Sequence, residues 1–186
     1  MNFKRSAGFL ALLAVFGGSA HAAEFADREV GFLLGGGWSD KDLVGGQDSE
    51  INPLIGFRYG KGWGEATRLF GDFVYGSYEG DLPGTGDVKQ MSLRGGVEWL
   101  VSRQDNYDWF VSTALGAARF EPDAGDTLTR GLFSVGLGQA WEIGKNDSLR
   151  WEVRAEQVLG GGLPSASSVT QVQALVGYSW GLGAPK

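Results

Sequence analysis

The chain of 186 residues has no cysteine, only five prolines, and a single histidine at position 21. Without cysteine the fold cannot rely on disulfides, and thiolate nucleophiles and thiolate zinc ligands are excluded. His21 lies in the N-terminal segment described next, so the rest of the chain cannot form a Ser-His-Asp or Cys-His catalytic set. We therefore expect no catalytic residues, no metal site and no cofactor.

Long hydrophobic runs are also missing, apart from a short one near the N-terminus. Residues 8–16 are apolar, follow Lys4 and Arg5, and precede the small-residue pattern Ala20-His21-Ala22. This order is typical of a secretory signal peptide, and the run is too short for a membrane helix, which needs about 20 residues. The sequence predicts a cleaved signal peptide at 1–22.

The remaining chain is long enough for one domain. We expect that domain to span residues 23–183 and residues 184–186 to be a tail or the start of a linker. Basic residues are outnumbered, 16 against 22 acidic ones, for a net charge of −6, so no nucleic-acid partner is expected. Glycine is abundant, with 32 residues, which is typical of an all-β protein with many turns.

Apolar and polar residues alternate in eight segments, as expected for strands. The segments span residues 29–39, 53–61, 66–78, 88–101, 107–120, 129–143, 149–159 and 169–182. Proline cannot donate a ladder hydrogen bond, and all five prolines fall at segment starts, in connections or in the tail. The connections alternate between long (40–52, 79–87, 121–128, 160–168) and short (62–65, 102–106, 144–148). This pattern predicts an all-β, eight-stranded antiparallel up-and-down transmembrane β-barrel with short periplasmic turns and long outer loops.

The two faces of the predicted strands differ in a way that favours lipid outside. In Leu149 to Val158, LRWEVRAEQV, charges alternate with apolar residues; elsewhere one face is rich in aromatic residues and the other in glycine. An eight-stranded barrel has a narrow interior, and buried charges must be paired. We predict a salt-bridge network in the lumen, made of five arginines and five acids. They are Arg58, Arg68, Asp72, Arg94, Glu98, Glu142, Arg150, Glu152, Arg154 and Glu156.

The seven tryptophans support the same arrangement. In the predicted topology six of them lie at the periplasmic end and only Trp38 lies near the outer end, as in an aromatic girdle at headgroup level. The predicted girdle consists of Trp38, Trp63, Trp99, Trp109, Trp141, Trp151 and Trp180.

Four stretches resemble the OmpA-type eight-stranded transmembrane domain. They are NPLIGFRYGKGW (52–63), STALGAARFEPD (112–123), VRAEQV (153–158) and VGYSWGLG (176–183), similar to its second, fifth, seventh and eighth strands. The resemblance implies a bacterial outer-membrane protein inserted by the barrel-assembly machinery, with a structural or surface-contact role. Arg154 and Glu156 match a lumen ion pair that in this family is thought to gate a narrow passage. Arg58 and Gly35 depart from the family's acid and lysine, so the gate does not carry over.

We therefore expect a non-enzymatic membrane protein of the cell envelope, in contact with outer-membrane lipid and lipopolysaccharide. Any ligand of the outer loops stays open. Two alternatives remain at this point: a porin-like, narrow ion pore of low conductance through the lumen, and a soluble periplasmic β-barrel that binds a small ligand.

Overall fold

The computed structural model describes residues 28–39, 51–63, 66–78, 87–104, 107–123, 126–143, 146–160 and 168–182. The predicted signal peptide and the C-terminal tail lie outside these ranges. Helices that are long and apolar enough to cross a membrane are absent from the ranges just given.

Eight antiparallel strands make up the molecule. They are β1 (Arg28–Ser39), β2 (Asn52–Gly62), β3 (Thr67–Tyr78), β4 (Val88–Gln104), β5 (Tyr107–Pro122), β6 (Leu128–Glu142), β7 (Asp147–Leu159) and β8 (Ser168–Gly181). Each strand pairs with the next one along the chain, and β1 pairs with β8, so the sheet closes on itself. The predicted all-β, eight-stranded antiparallel barrel is confirmed. Closure leaves no strand edge without a hydrogen-bonding partner.

The connections alternate in length as expected, with one exception. Those at 63–66, 105–106 and 143–146 are short and define the turn end of the barrel, whereas those at 40–51, 79–87 and 160–167 are longer and define the loop end. The remaining loop-end connection, 123–127, has only five residues. It is shorter than predicted because β5 continues through Pro122 and β6 already begins at Leu128.

The hairpin of β4 and β5 contains the one register shift in the pairing of the described strands. Leu100 pairs with Phe110 but Ser102 pairs with Trp109, so Val101 is an extra residue in β4. This bulge lets the strand continue past residue 101, where the alternation in the sequence changes phase. The predicted end of this strand was therefore three residues too early.

The outer face of the barrel is apolar. Leu93 and Leu115 are each 66% exposed, and Phe57, Val153 and many other large apolar residues also point outward. In a protein surrounded by water so large a continuous apolar surface is unfavourable, whereas acyl chains solvate it. The predicted assignment of the bulky residues to the outside is confirmed.

The interior has two layers, and only one of them was predicted. A charged layer lies in the middle and toward the turn end. A buried apolar cluster lies mainly toward the loop end and contains Leu33, Leu54, Val74, Tyr78, Val88, Ala118, Phe120, Leu132, Val158, Val169 and Leu175. An interior of glycines and charges alone is therefore wrong for the loop end, where apolar side chains point inward as well as outward.

Leu115 lies midway along β5 and points outward, so its replacement by arginine would place a guanidinium against the middle of the lipid layer. We expect Leu115→Arg to lower the free energy of unfolding in lipid vesicles by about 2–4 kcal/mol, measured by urea titration. The matched control is Leu159→Arg, at the last residue of β7, where the expected loss is about 0–1 kcal/mol. Equal effects at the two positions would contradict the lipid-facing assignment.

Candidate functional site in the barrel interior

The interior buries nine of the ten residues predicted for the lumen network. The exception is Glu142, the last residue of β6, whose side chain is exposed at the turn end. Its parity along the strand was correct, but the strand leaves the barrel interior before reaching it. Glu29 of β1 is buried instead and contacts two arginines, Arg68 and Arg150. The ion pairs of the interior therefore join five arginines to five carboxylates, with Glu29 in place of Glu142.

Arg58 of β2 is the centre of the network. Its guanidinium contacts Asp72 at 2.7 Å and Glu152 at 2.9 Å, and it also pairs with Glu98. These carboxylates belong to β3, β7 and β4, so one side chain joins four strands. The guanidinium also lies over the ring of Phe70, 4.2 Å from its centroid. Arg58 is 2% exposed, and its charge is compensated by these partners rather than by bulk water.

Above Arg58, toward the loop end, a second group of ion pairs surrounds Asp72. Arg94 Nε and Arg154 Nη1 donate to the two oxygens of this carboxylate at 2.8 and 2.9 Å. Glu156 pairs with both arginines. Gln173 of β8 accepts from Arg154 Nε at 2.9 Å and donates to Glu156 at 3.0 Å. The side-chain amide of Gln173 holds Arg154 and Glu156 together because it supplies both an acceptor and a donor.

Toward the turn end, a third group surrounds Glu98. Arg68 Nε donates to Glu98 Oε2 at 2.7 Å, and Arg150 donates to the other oxygen of this carboxylate. Glu29 pairs with the same two arginines from the opposite side. Arg150 also lies 4.5 Å from the ring centroid of Phe110. The ring closely approaches Gly138 of β6, where a side chain would collide with it.

The strand β7 carries most contacts across the lumen. Its four charged residues reach Glu29, Arg58, Asp72, Arg94 and Glu98, on four different strands. Ser112 of β5 donates to Glu152 at 2.6 Å. The alternation in LRWEVRAEQV therefore supplies two cations and two anions at one spacing, and the facing strands supply their counterions. The predicted position of this ladder inside the barrel agrees with its observed burial.

A pair of amides lies between the ion pairs around Asp72 and the apolar side chains nearest the loop end. Gln90 of β4 and Gln171 of β8 donate to each other across the lumen, at 3.1 and 2.7 Å. Beyond this pair toward the loop end, Tyr78, Val88 and Phe120 fill the interior. The sequence reasoning missed both features, although inward-facing glutamines at positions 90 and 171 could have been read from the strand parity.

Five buried carboxylates of the interior, those of Glu29, Asp72, Glu98, Glu152 and Glu156, are held in ion pairs by arginine. Across the part of the chain that the structure describes, no group of three or more His, Cys, Asp or Glu residues could hold a metal ion. What the network does is join strands across the lumen.

The tryptophans predicted for the girdle lie on the outer face near the ends of the strands. Trp63, Trp99, Trp109, Trp141, Trp151 and Trp180 lie at the turn end, and Trp38 lies at the loop end. The rings of Trp109 and Trp151 meet edge to face with centroids 5.8 Å apart. The Nε1 of Trp151 donates to Gln139 Oε1 at 2.9 Å, so its polar atom is satisfied on the outer surface.

Fold and interior together define a class of protein: the closed eight-stranded barrel with an apolar outer face and ion-paired side chains inside. The structure is similar to that of Neisserial surface protein A (NspA), with a TM-score of 0.71 and 14% identity over 84% of this chain and 98% of that chain. It is also similar to the outer membrane protein OprG from Pseudomonas aeruginosa, with a TM-score of 0.56 and 10% identity over 88% and 99% of the two chains.

A third similar structure is the outer membrane enzyme PagL, with a TM-score of 0.54 and 18% identity over 83% of this chain and 99% of that chain. The sequence matches no protein-family model and no curated protein at a significant level. At these identities the structural similarities show the fold alone. It is the fold of the eight-stranded outer-membrane barrels, as the resemblance to the OmpA-type domain implies.

Removal of Arg154 tests the network in the interior. Arg154→Ala leaves Asp72 and Glu156 each with one cation fewer, and we expect the free energy of unfolding to fall by about 3–5 kcal/mol. The matched control is Arg119→Ala, which removes an exposed ion pair with Glu121 and should cost at most about 1 kcal/mol. A loss for Arg154→Ala no larger than that of the control would indicate a water-filled lumen.

Proposed function

We propose that this chain is a non-enzymatic protein of the bacterial outer membrane that strengthens the envelope or makes surface contacts through its loop end. The observation that carries the proposal is the inverted distribution of side chains. Leu93, Leu115 and Val153 are exposed to the surroundings, while Arg58, Glu98 and Glu152 are buried and paired. A soluble ligand-binding barrel requires the opposite distribution, because its exterior must be hydrated.

Orientation in the membrane follows from the ends of the barrel. The turn end holds six tryptophans and both ends of the strand series, Arg28 and Gly181. Barrels of this kind keep their short turns on the periplasmic side, so the loop end faces outward. The similar structures, a surface protein and two outer-membrane proteins, support the same location. The predicted signal peptide at 1–22 would direct export.

The proposal excludes catalysis for reasons of chemistry. PagL is an enzyme, so the fold by itself permits activity. In this chain the only histidine is His21, in the predicted signal peptide, and cysteine is absent. The buried carboxylates are already neutralised by arginines, which leaves no free general base near a nucleophile.

The proposal also excludes an open ion pore in the conformation described. An ion entering from the loop end would first meet Tyr78, Val88 and Phe120, and then the pair of Gln90 and Gln171. An ion must lose its hydration to pass such an apolar layer, and the interior offers no free charge to replace the lost water.

The location can be tested by membrane fractionation and by gel mobility. We expect the chain to fractionate with the outer membrane, to require detergent for extraction, and to migrate differently on SDS gels before and after heating, because the closed barrel resists SDS. A cytosolic or periplasmic β-protein released without detergent would overturn the proposal. The single variant Leu115→Arg serves as a control, since it should insert into the membrane less efficiently while its barrel interior stays unchanged.

Planar-bilayer recording tests the closed lumen. We expect the inserted wild-type barrel to show no stepwise current in about 1 M KCl. The double variant Tyr78→Ala/Phe120→Ala removes the two largest rings of the apolar cluster and should increase leakage. Regular current steps in the wild type would favour the pore instead.

A further inference from the structure

The outward-facing charges at the loop end are confined to one place. Within the strands of the described structure they are Lys89 of β4 and Arg119 and Glu121 of β5, here called the rim patch. Lys89 lies directly opposite Glu121, and Arg119 lies opposite Met91 on the same two strands. The two basic residues are thus diagonal neighbours, with Cβ atoms about 7 Å apart. One anionic group of ordinary size can contact both.

The basic side chains of the rim patch are available to a ligand. The Arg119 side chain is 56% exposed, and its Nε donates to Glu121 at 2.7 Å, so this ion pair does not use its two terminal nitrogens. The nearest further acids, Asp87 and Asp123, lie one or two residues beyond the strand ends. They are tied to each other through the backbone, since the amide of Asp123 donates to the carbonyl of Asp87 at 2.9 Å.

Directly below the rim patch the surface is apolar and shallow. Leu93 and Leu115 project most strongly, while Ala117 and Gly131 lie side by side between them and Leu159. Small residues flanked by exposed leucines leave a depression that runs toward the middle of the barrel. A saturated acyl chain fits such a surface because it gains contact on three sides.

We propose that the rim patch binds lipopolysaccharide, with a phosphate of its lipid anchor on Arg119 and Lys89 and an acyl chain over Ala117 and Gly131. The inference rests on the proposed location in the outer membrane, where this lipid forms the outer leaflet. Arginine binds phosphate through paired N–H groups, and lysine reaches the headgroup level by extending its chain. Local charge complementarity favours an anionic occupant, because Lys89 and Arg119 are the basic residues that the described strands present outward at the loop end.

The opposite rim provides a matched control. Arg28 of β1 and Lys61 of β2 are also exposed and are direct cross-strand partners, but they lie at the turn end. Below them the outward positions carry large side chains, including Tyr59 and Leu69, instead of small ones. Because these turn-end cations face the leaflet without lipopolysaccharide, their replacement controls for the loss of two exposed positive charges, whereas the proposed site requires the rim patch.

The test measures how much lipopolysaccharide stays bound to the full-length protein after extraction from outer membranes in mild detergent with EDTA, which removes bridging divalent cations. Native mass spectrometry counts the lipid per barrel. We expect Lys89→Ala/Arg119→Ala to retain about tenfold less lipid than the wild type, and Arg28→Ala/Lys61→Ala to retain as much as the wild type. Unchanged retention in the rim-patch variant, or an equal loss in both, would overturn the proposal.

Two further variants test the chemistry of the site. Glu121→Gln removes the carboxylate that competes for Arg119, so retention should rise; a fall would overturn direct binding of phosphate by the arginine. Gly131→Leu fills the depression, and a Cβ there meets only Leu159 at 3.7 Å, so the barrel can accept it. We expect retention to fall in this variant although all charges are intact, and unchanged retention would overturn the placement of the acyl chain.

Rebinding of defined lipids to the delipidated wild-type protein shows which lipid supplies the anionic group. Phosphorylated lipid A should bind, and phosphate-free lipid A and phosphatidylglycerol should bind at least about tenfold more weakly. Equal binding of all three would overturn the assignment to lipopolysaccharide. Heat-dependent gel mobility is recorded for every sample. If the rim-patch variant folds and inserts but retains as much lipid as the wild type, only the proposed binding site is refuted. If the chain is soluble without detergent, the proposed function is refuted as well.

Discussion

Charge neutrality inside a closed barrel is the constraint on which the rest of the structure depends. Lipid outside offers nothing to a polar group, so each guanidinium and carboxylate must find its partner across the lumen. Arg58 meets three carboxylates, and each of the five buried arginines pairs with at least one buried carboxylate. The contacts run mainly from β7 to β1–β4, so the network and the closure of the sheet stabilise each other. Neither can form fully without the other.

The second layer of the interior gives the barrel two kinds of packing along its axis. Toward the loop end, Tyr78, Phe120 and their neighbours form an apolar core like that of a soluble protein. Toward the turn end, charged side chains stacked on Phe70 and Phe110 fill the same cross-section. Because side chains fill both layers of the described interior, we propose that contacts with other molecules are made on the outer surface and at the rims.

Much of this architecture could be predicted from the sequence because strands have a period of two. Segment number, pairing order and the side on which Trp151 and Glu152 lie all follow from that period, and the structure agrees. The errors occur where the two-residue period does not show how far along the barrel axis a residue lies. Glu142 has the correct parity but lies beyond the interior, while Glu29, at the start of β1, was missed because it stands beside exposed Arg28. The bulge at Val101 was missed because the change of phase that it introduces into the alternation looks the same as the end of a strand.

The apolar layer was missed for a related reason. Near the loop end of β2 and β3, residues of both parities are apolar, so alternation alone cannot show that Leu54 and Val74 point inward.

The alternation in β7 bears on how such a sequence can change over evolutionary time. Outward positions such as Val153 tolerate single substitutions among many apolar residues. Inward positions such as Arg154 are paired with Asp72 of β3 and with Glu156 of β7 itself, so drift there must proceed through compensated, simultaneous or nearly simultaneous substitutions. A single strand thus mixes fast and slow sites at every second residue, and two descendants of one ancestral barrel can share a shape long after their sequences have ceased to look related.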